Sequence, residues 1–265
     1  MRIIAFAGPS LNAAERARLP HVEWRPPAEA GDLLRLATAP PGAICLIDGY
    51  FDQRPAVRHK EILLLLSLGV RIYGASSIGA LRAAEMDRHG MIGVGAIYAA
   101  YRDGTIDGDD EVALLHAPAE FDWKPLSLPL VDVRATLEAA RRAEIVTEEQ
   151  QIRLAGAAAT IFYQDRDWAG ILAAAGWRQR EIGPLLRWLT GNHVAQKTLD
   201  AHACIAEALA NRPQVAVYPE AVMPGFVAAL AQDCGLAAMA VPPSLREIPP
   251  ESHHAAPDPG RDAGT

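Results

Sequence analysis

Two adjacent serines, Ser76 and Ser77, lie in the stretch Gly74-Ala75-Ser76-Ser77-Ile78-Gly79, between a β-branched run and the strong helix former Ala80 to Glu85. Serine at a helix start suits two tasks. It can cap the helix by accepting an orphan backbone N–H, or it can act as a nucleophile raised on a sharp strand-to-helix turn. A capping box would need Glu or Gln three residues on, and Gly79 and Ala80 stand there instead. Ala75-Ser76-Ser77-Ile78-Gly79 resembles a G-x-S-x-G elbow with alanine in the first glycine position, which makes Ser77 the nucleophile. Taken alone, the pattern favours the cap over the nucleophile.

A serine nucleophile needs a base. The chain has three lysines, Lys60, Lys124 and Lys197. Lys60 falls in the helical stretch Pro55 to Leu68, with Val57 and Leu64 three and four residues away on its face. Such a lysine either snorkels to water or is desolvated, and desolvation favours the neutral amine that a serine–lysine pair requires. Asp48 ends an apolar run and precedes Gly49. It serves equally as a turn residue or as a group orienting Lys60 or His59. Arg82 and Glu85, three apart, read as a helix-surface ion pair. Asp107, Asp109, Asp110 and Glu111 lack the ligand rhythm of a calcium loop. Gly90, Gly93 and Gly95 do not form a dinucleotide fingerprint, and no metal or cofactor is expected.

The elements that must position these groups alternate. Strands are expected at residues 2–7, 22–24, 43–47 and 70–73, with helices at 12–18, 28–37, 55–68 and from the serine turn to about residue 88. Alternation of this kind argues for a parallel sheet covered by helices, with ligands beyond the carboxyl ends of the strands. Gly8-Pro9-Ser10, Asp48-Gly49-Tyr50 and Gly74 to Ser77 should then gather at one edge. Residues 131–210 read as almost entirely helical, a late strand is possible at 215–218, and proline, histidine and aspartate dominate from residue 242. The expected organisation is an α/β fold: a parallel-sheet core covered by helices over residues 1–125, a mainly helical region over 126–240, and a disordered tail over 241–265.

Composition narrows the function. Half of the 265 residues are hydrophobic and the net charge is -7 without a long basic run, which argues against nucleic-acid binding. Three scattered cysteines form no CxxC pair and suit a reducing cytoplasm. The N-terminus does not read as a signal peptide, and no apolar run is long enough for a membrane span.

Several stretches occur together as they do in TfuA-like proteins: GPSL at 8–11, IDGYF at 47–51, HKEIL at 59–63, GASSIGALRAAE at 74–85, GMIGVG at 90–95 and DDEVALLH at 109–116. RDW at 166–168 and QKTLDA at 196–201 extend the match more loosely. The chain resembles that family, although relatives often carry methionine where Ile78 stands and an aromatic where Arg58 stands. The resemblance implies peptide backbone thioamidation beside a YcaO-family enzyme. It also implies hydrolysis of the C-terminal thiocarboxylate of a ThiS-like sulfur carrier by a serine–lysine pair, with Ser77 as the serine and Lys60 as the lysine. A precursor peptide is a further candidate partner. In that scheme the Ile78 N–H is an oxyanion donor, Gly8 or Asp48-Gly49 offers a second, and Arg82 is a candidate to polarise the anionic thiocarboxylate. A non-catalytic adaptor that improves YcaO's hold on its peptide is the alternative. A nucleotide-binding domain is a weaker one, because no phosphate loop is present.

Overall fold

The computed structural model describes residues 1–50, 54–210 and 224–234. The expected strand at 215–218 and the tail from 241 lie outside the described residues.

Five parallel strands form the sheet: β1 (Ile3–Phe6), β2 (Val22–Arg25), β3 (Ala43–Leu46), β4 (Arg71–Gly74) and β5 (Ile92–Gly93), in the order β2-β1-β3-β4-β5. Ile3 pairs with Ala43, and Leu46 with Gly74. The helices between them are α1 (Ala13–Ala17), α2 (Asp32–Leu36), α3 (His59–Ser67) and α4 (Ile78–Met86). After β5 come α5 (Ala96–Arg102), α6 (Leu130–Arg142), α7 (Glu148–Thr160), α8 (Trp168–Ala174), α9 (Gln179–Gly191), α10 (Gln196–Ala210) and α11 (Pro224–Asp233). The expected α/β architecture is present, with a helical second half. The strand not expected from sequence is β5. Its two residues are too few to show the alternation or the apolar run by which strands are read.

Successive strand residues point to opposite faces, and each face has its own cover. Ile4, Phe6, Ile44, Leu46 and Ile72 pack under α2, α3, α4 and α11. Ile3, Ala5, Ala43, Cys45 and Tyr73 face Ala201, Cys204, Ile205 and Ala208 of α10. Small residues, Ala5, Ala43 and Cys45 on the sheet and Ala201, Cys204 and Ala208 on α10, make up part of both sides of that second face. A separate apolar cluster joins α6, α7, α8 and α9.

Strand order reverses between β1 and β3, since the chain runs from β1 outward to β2 and then returns to the other side. Such a switch point opens a crevice at the carboxyl ends of the strands. The turns after β1, β3 and β4 meet there.

Arg166 ties the helical half to this edge. Its side chain is fully buried. It donates to the carbonyls of Ala158 and Ile161 at 3.0 and 3.2 Å, and reaches the Leu128 and Asp110 carbonyls at 3.4 and 3.3 Å. Burial pulls the guanidinium below its usual range, with Asp110 working the other way. Arg166→Leu should leave these acceptors without a donor and cost about 2 kcal/mol or more. A fall in melting temperature of several degrees would register it, and an unchanged melting curve would contradict it.

Candidate active site

Gly74 ends β4, and the chain then turns sharply into α4. Ser76 has a positive φ of 69°, which is rare for a residue with a side chain. The Ser77 N–H donates to the Ala75 carbonyl at 2.8 Å and closes a tight three-residue turn around Ser76. Ser77 occupies the cap position of α4, yet its side chain makes no capping hydrogen bond. The turn fits only because Gly79 lacks a side chain: a Cβ there would stand 1.7 Å from the Leu46 carbonyl oxygen of β3. Ser77 lines a cavity of 400 Å³ and Ser76 does not.

Beside Ser77 lies Lys197, from the first turn of α10. Its Nζ is 3.3 Å from Ser77 Oγ, donates to the Val112 carbonyl at 2.8 Å, and is 3.9 Å from Asp48 Oδ1. Ser77 and Lys197 are only 3% and 4% exposed. Burial pulls the Lys197 amine below its usual range, while Asp48 and Asp132 work in the other direction. A neutral amine has two N–H donors and one lone pair. In that form Val112 would take one donor and Asp48 would face the other, which would leave the lone pair for the Ser77 hydroxyl proton. The contact is slightly longer than an ideal hydrogen bond, as is common in unliganded sites.

Lys60, the lysine singled out from sequence, is not in this position. It is exposed, in the first turn of α3. The buried arc of α3 runs through Glu61, Ile62, Leu64 and Leu65, and Val57, one of the two apolar neighbours used to place Lys60, precedes the helix altogether. The amine beside Ser77 belongs to Lys197. The sequence did hold a signal for it. Lys197, Asp200, Ala201, Cys204, Ile205 and Ala208 are the buried stripe of α10, a lysine opening a helix face that is otherwise mostly small or apolar.

Asp48 holds the floor of the site. Its Oδ2 accepts from the backbone N–H groups of Gly8 and Ser10 at 2.8 and 3.0 Å, and its Oδ1 accepts from Ser10 Oγ at 2.7 Å. Asp48 therefore joins the turns after β1 and β3 and faces Lys197 rather than Lys60. His59 instead pairs with Glu85 at 2.7 Å. The Gly8 N–H is committed to Asp48 and is not the spare donor expected from sequence. Gly49 lines the cavity, and a side chain there would collide with Ile78 and with the Ala28 carbonyl. Arg82 is not among the cavity residues. It donates to the Val57 carbonyl at 2.9 Å and to Glu85 at 2.7 Å.

The cavity wall opposite the strand ends comes from two later segments, Asp109 to His116 and Phe162 to Gln164. His116 belongs to it, with Nδ1 2.8 Å from the Ala117 carbonyl. A ring nitrogen facing a carbonyl must carry a proton. The first segment is the DDEVALLH stretch that carried part of the family resemblance, but nothing in the sequence gave either segment a place at this site. Among the described residues there is no group of acidic, histidine or cysteine side chains placed to hold a metal ion, and no helix long and apolar enough to cross a membrane.

A buried serine beside a buried amine, on a strained turn at a helix N-terminus, is equipped for acyl transfer. No curated protein matches the chain. A family model described as "TfuA-like protein" matches residues 48–167, a span that holds Asp48, Ser77 and the Asp109 to His116 wall.

Proposed function

We propose that the chain, which a family model of TfuA-like proteins matches over residues 48–167, hydrolyses the C-terminal thiocarboxylate of a ThiS-like carrier and supplies sulfide to a YcaO enzyme, in keeping with that family's tie to YcaO-related thioamidation. The observation that carries the reading is the 3.3 Å approach of Lys197 Nζ to Ser77 Oγ inside the cavity.

In this reading Lys197 takes the Ser77 proton as Oγ attacks the thiocarboxylate carbon. The tetrahedral intermediate breaks its C–S bond, Lys197 returns the proton to the departing sulfur, and hydrosulfide leaves. A water then attacks the acyl-serine. Lys197 takes one of its protons and gives it to Ser77 Oγ as the ester bond breaks, freeing the carrier's carboxylic acid, which loses the other proton to solvent. The intermediate's oxyanion needs donors. The Ile78 N–H follows the nucleophile and belongs to the first turn of α4, whose amides have no partner within the helix. The helix N-terminus adds favourable charge. Gly49 supplies a wall where only backbone stands.

The test uses a thiocarboxylated carrier and the YcaO partner. Ser77→Ala should abolish sulfide release while leaving thioamidation from added sulfide intact. Loss of both would favour the adaptor reading, and retention of carrier hydrolysis would remove Ser77 as nucleophile.

A further inference from the structure

Behind Ser77 the site continues into a buried chain of hydroxyls. Ser10 Oγ donates to Asp48 Oδ1 at 2.7 Å and lies 2.7 Å from Ser76 Oγ. Ser10 has one hydroxyl proton, and it is spent on the carboxylate, which only accepts. The Ser76 hydroxyl must therefore be the donor to Ser10. The order is Ser76 to Ser10 to Asp48, with Lys197 facing the same Asp48 oxygen at 3.9 Å. Ser10, Ser76 and Asp48 are all buried. Ser10 is also held from the other side, because Thr198 Oγ1, one residue after Lys197, donates to the Ser10 carbonyl at 2.8 Å.

The geometry points to Ser10 as a positioning residue that joins the strained serine turn to the counter-ion of Lys197. It has two effects. It pins Ser76, whose positive φ sets the turn that presents Ser77. It also occupies Asp48 Oδ1, and so keeps that carboxylate from closing on the Lys197 amine and holding it charged. The pairing explains why two serines stand side by side: Ser77 faces the cavity, and Ser76 is the anchor behind it. The inference rests on the serine–lysine reading but not on the identity of the carrier.

The charged groups around Lys197 come from each element packed on it. Asp48 stands at the end of β3 and Asp132 on α6, where Oδ1 accepts the Lys197 backbone N–H at 3.0 Å and Oδ2 is 3.7 Å from His193. Asp109 and Asp110 stand across the cavity. Only the Asp48 contact runs through Ser10.

The test is the rate at which an alkylsulfonyl fluoride labels Ser77 in the full chain, measured from pH 6 to 10. In that reaction Ser77 Oγ bonds to sulfur, the S–F bond breaks, fluoride leaves and Lys197 takes the serine proton. The wild-type rate should rise with pH as Lys197 loses its proton. Ser10→Ala leaves Asp48 Oδ1 to Lys197 alone, so the inflection should move up by about one pH unit, with a several-fold lower plateau. Asp48→Asn removes the opposing charge and should move the inflection down. Ser76→Gly suits the positive φ and loses only the anchor, so its inflection should stay within about half a unit while the plateau falls about three-fold. An unchanged profile in Ser10→Ala, or an Asp48→Asn inflection that rises or stays fixed, overturns the inference even if Ser10→Ala proves hard to fold. Absence of label on Ser77 in the wild type would instead sink the nucleophile assignment, and labelling without carrier hydrolysis would sink only the substrate.

Discussion

Lys197→Arg is expected to be as inactive as Lys197→Met, with Ser77 labelling and carrier hydrolysis both reduced about 10³-fold, the scale of a lost general base. Arginine keeps the positive charge and the donors to Val112 and Asp48, but guanidinium does not release its proton at working pH. It therefore cannot receive the proton of Ser77. Methionine tests the opposite property, since it fills the buried space without charge or lone-pair nitrogen. If Lys197 only neutralised Asp48, arginine would retain most of the activity and methionine would not. Lys60→Ala should stay within about two-fold of wild type, because exposed substitutions away from the site do little. The same assay decides between the two lysines. Near-normal labelling in Lys197→Arg, or a large loss in Lys60→Ala, would return the role of base to the lysine that the family resemblance implied.

Gly79→Ala should be the most damaging single methyl in the described residues. The added Cβ would lie 1.7 Å from the Leu46 oxygen and 2.6 Å from its carbonyl carbon. Both are backbone atoms of β3, held by pairing to β1 and β4 on either side. A side chain in the way could rotate, but this strand cannot move without breaking the sheet. Such a change belongs with the exceptional losses above about 4 kcal/mol, and the variant should be recovered unfolded or with a melting temperature lowered by more than about 10 °C. Gly156, inside α7, is the control. A Cβ there meets nothing within 4 Å, so Gly156→Ala should stabilise the chain by about 0.5–1 kcal/mol through helix propensity and unfolded-state entropy. Equal melting temperatures for the two alanine variants would mean that α4 does not press on β3 as described.

Much of the sheet could be read from residue order. Apolar runs ended by Gly8-Pro9-Ser10, Asp48-Gly49 and Gly74-Ala75-Ser76 lie between helix formers, and local alternation of that kind has few solutions other than a parallel, helix-covered sheet. That Ser77 stands on the strand-to-helix turn was legible for the same reason. Its signal is local: a glycine two residues on, no capping partner three residues on, and a strand immediately before. Asp48 was visible as a carboxylate at a strand end, though its partners were not.

That Lys197 stands beside Ser77 was not legible, because that placement is a long-range property. Lys60 and Lys197 each begin a helix with apolar neighbours, and helical periodicity reports which residues share a face, not what that face is pressed against. α3 turns its buried arc, with Glu61 in it, to one side of the sheet and leaves Lys60 exposed on the other face of the helix. Lys197 on α10 comes 120 residues after the serine it stands beside. α10 lies over the other side of the sheet, where Ala5, Ala43 and Cys45 meet Ala201, Cys204 and Ala208. That packing brings the first turn of α10 to the carboxyl ends of the strands, where Lys197 loses its water and meets Ser77. Residue types told which groups could react. Which of two similar amines lies beside Ser77 was decided by helix-to-sheet packing that no local pattern encodes.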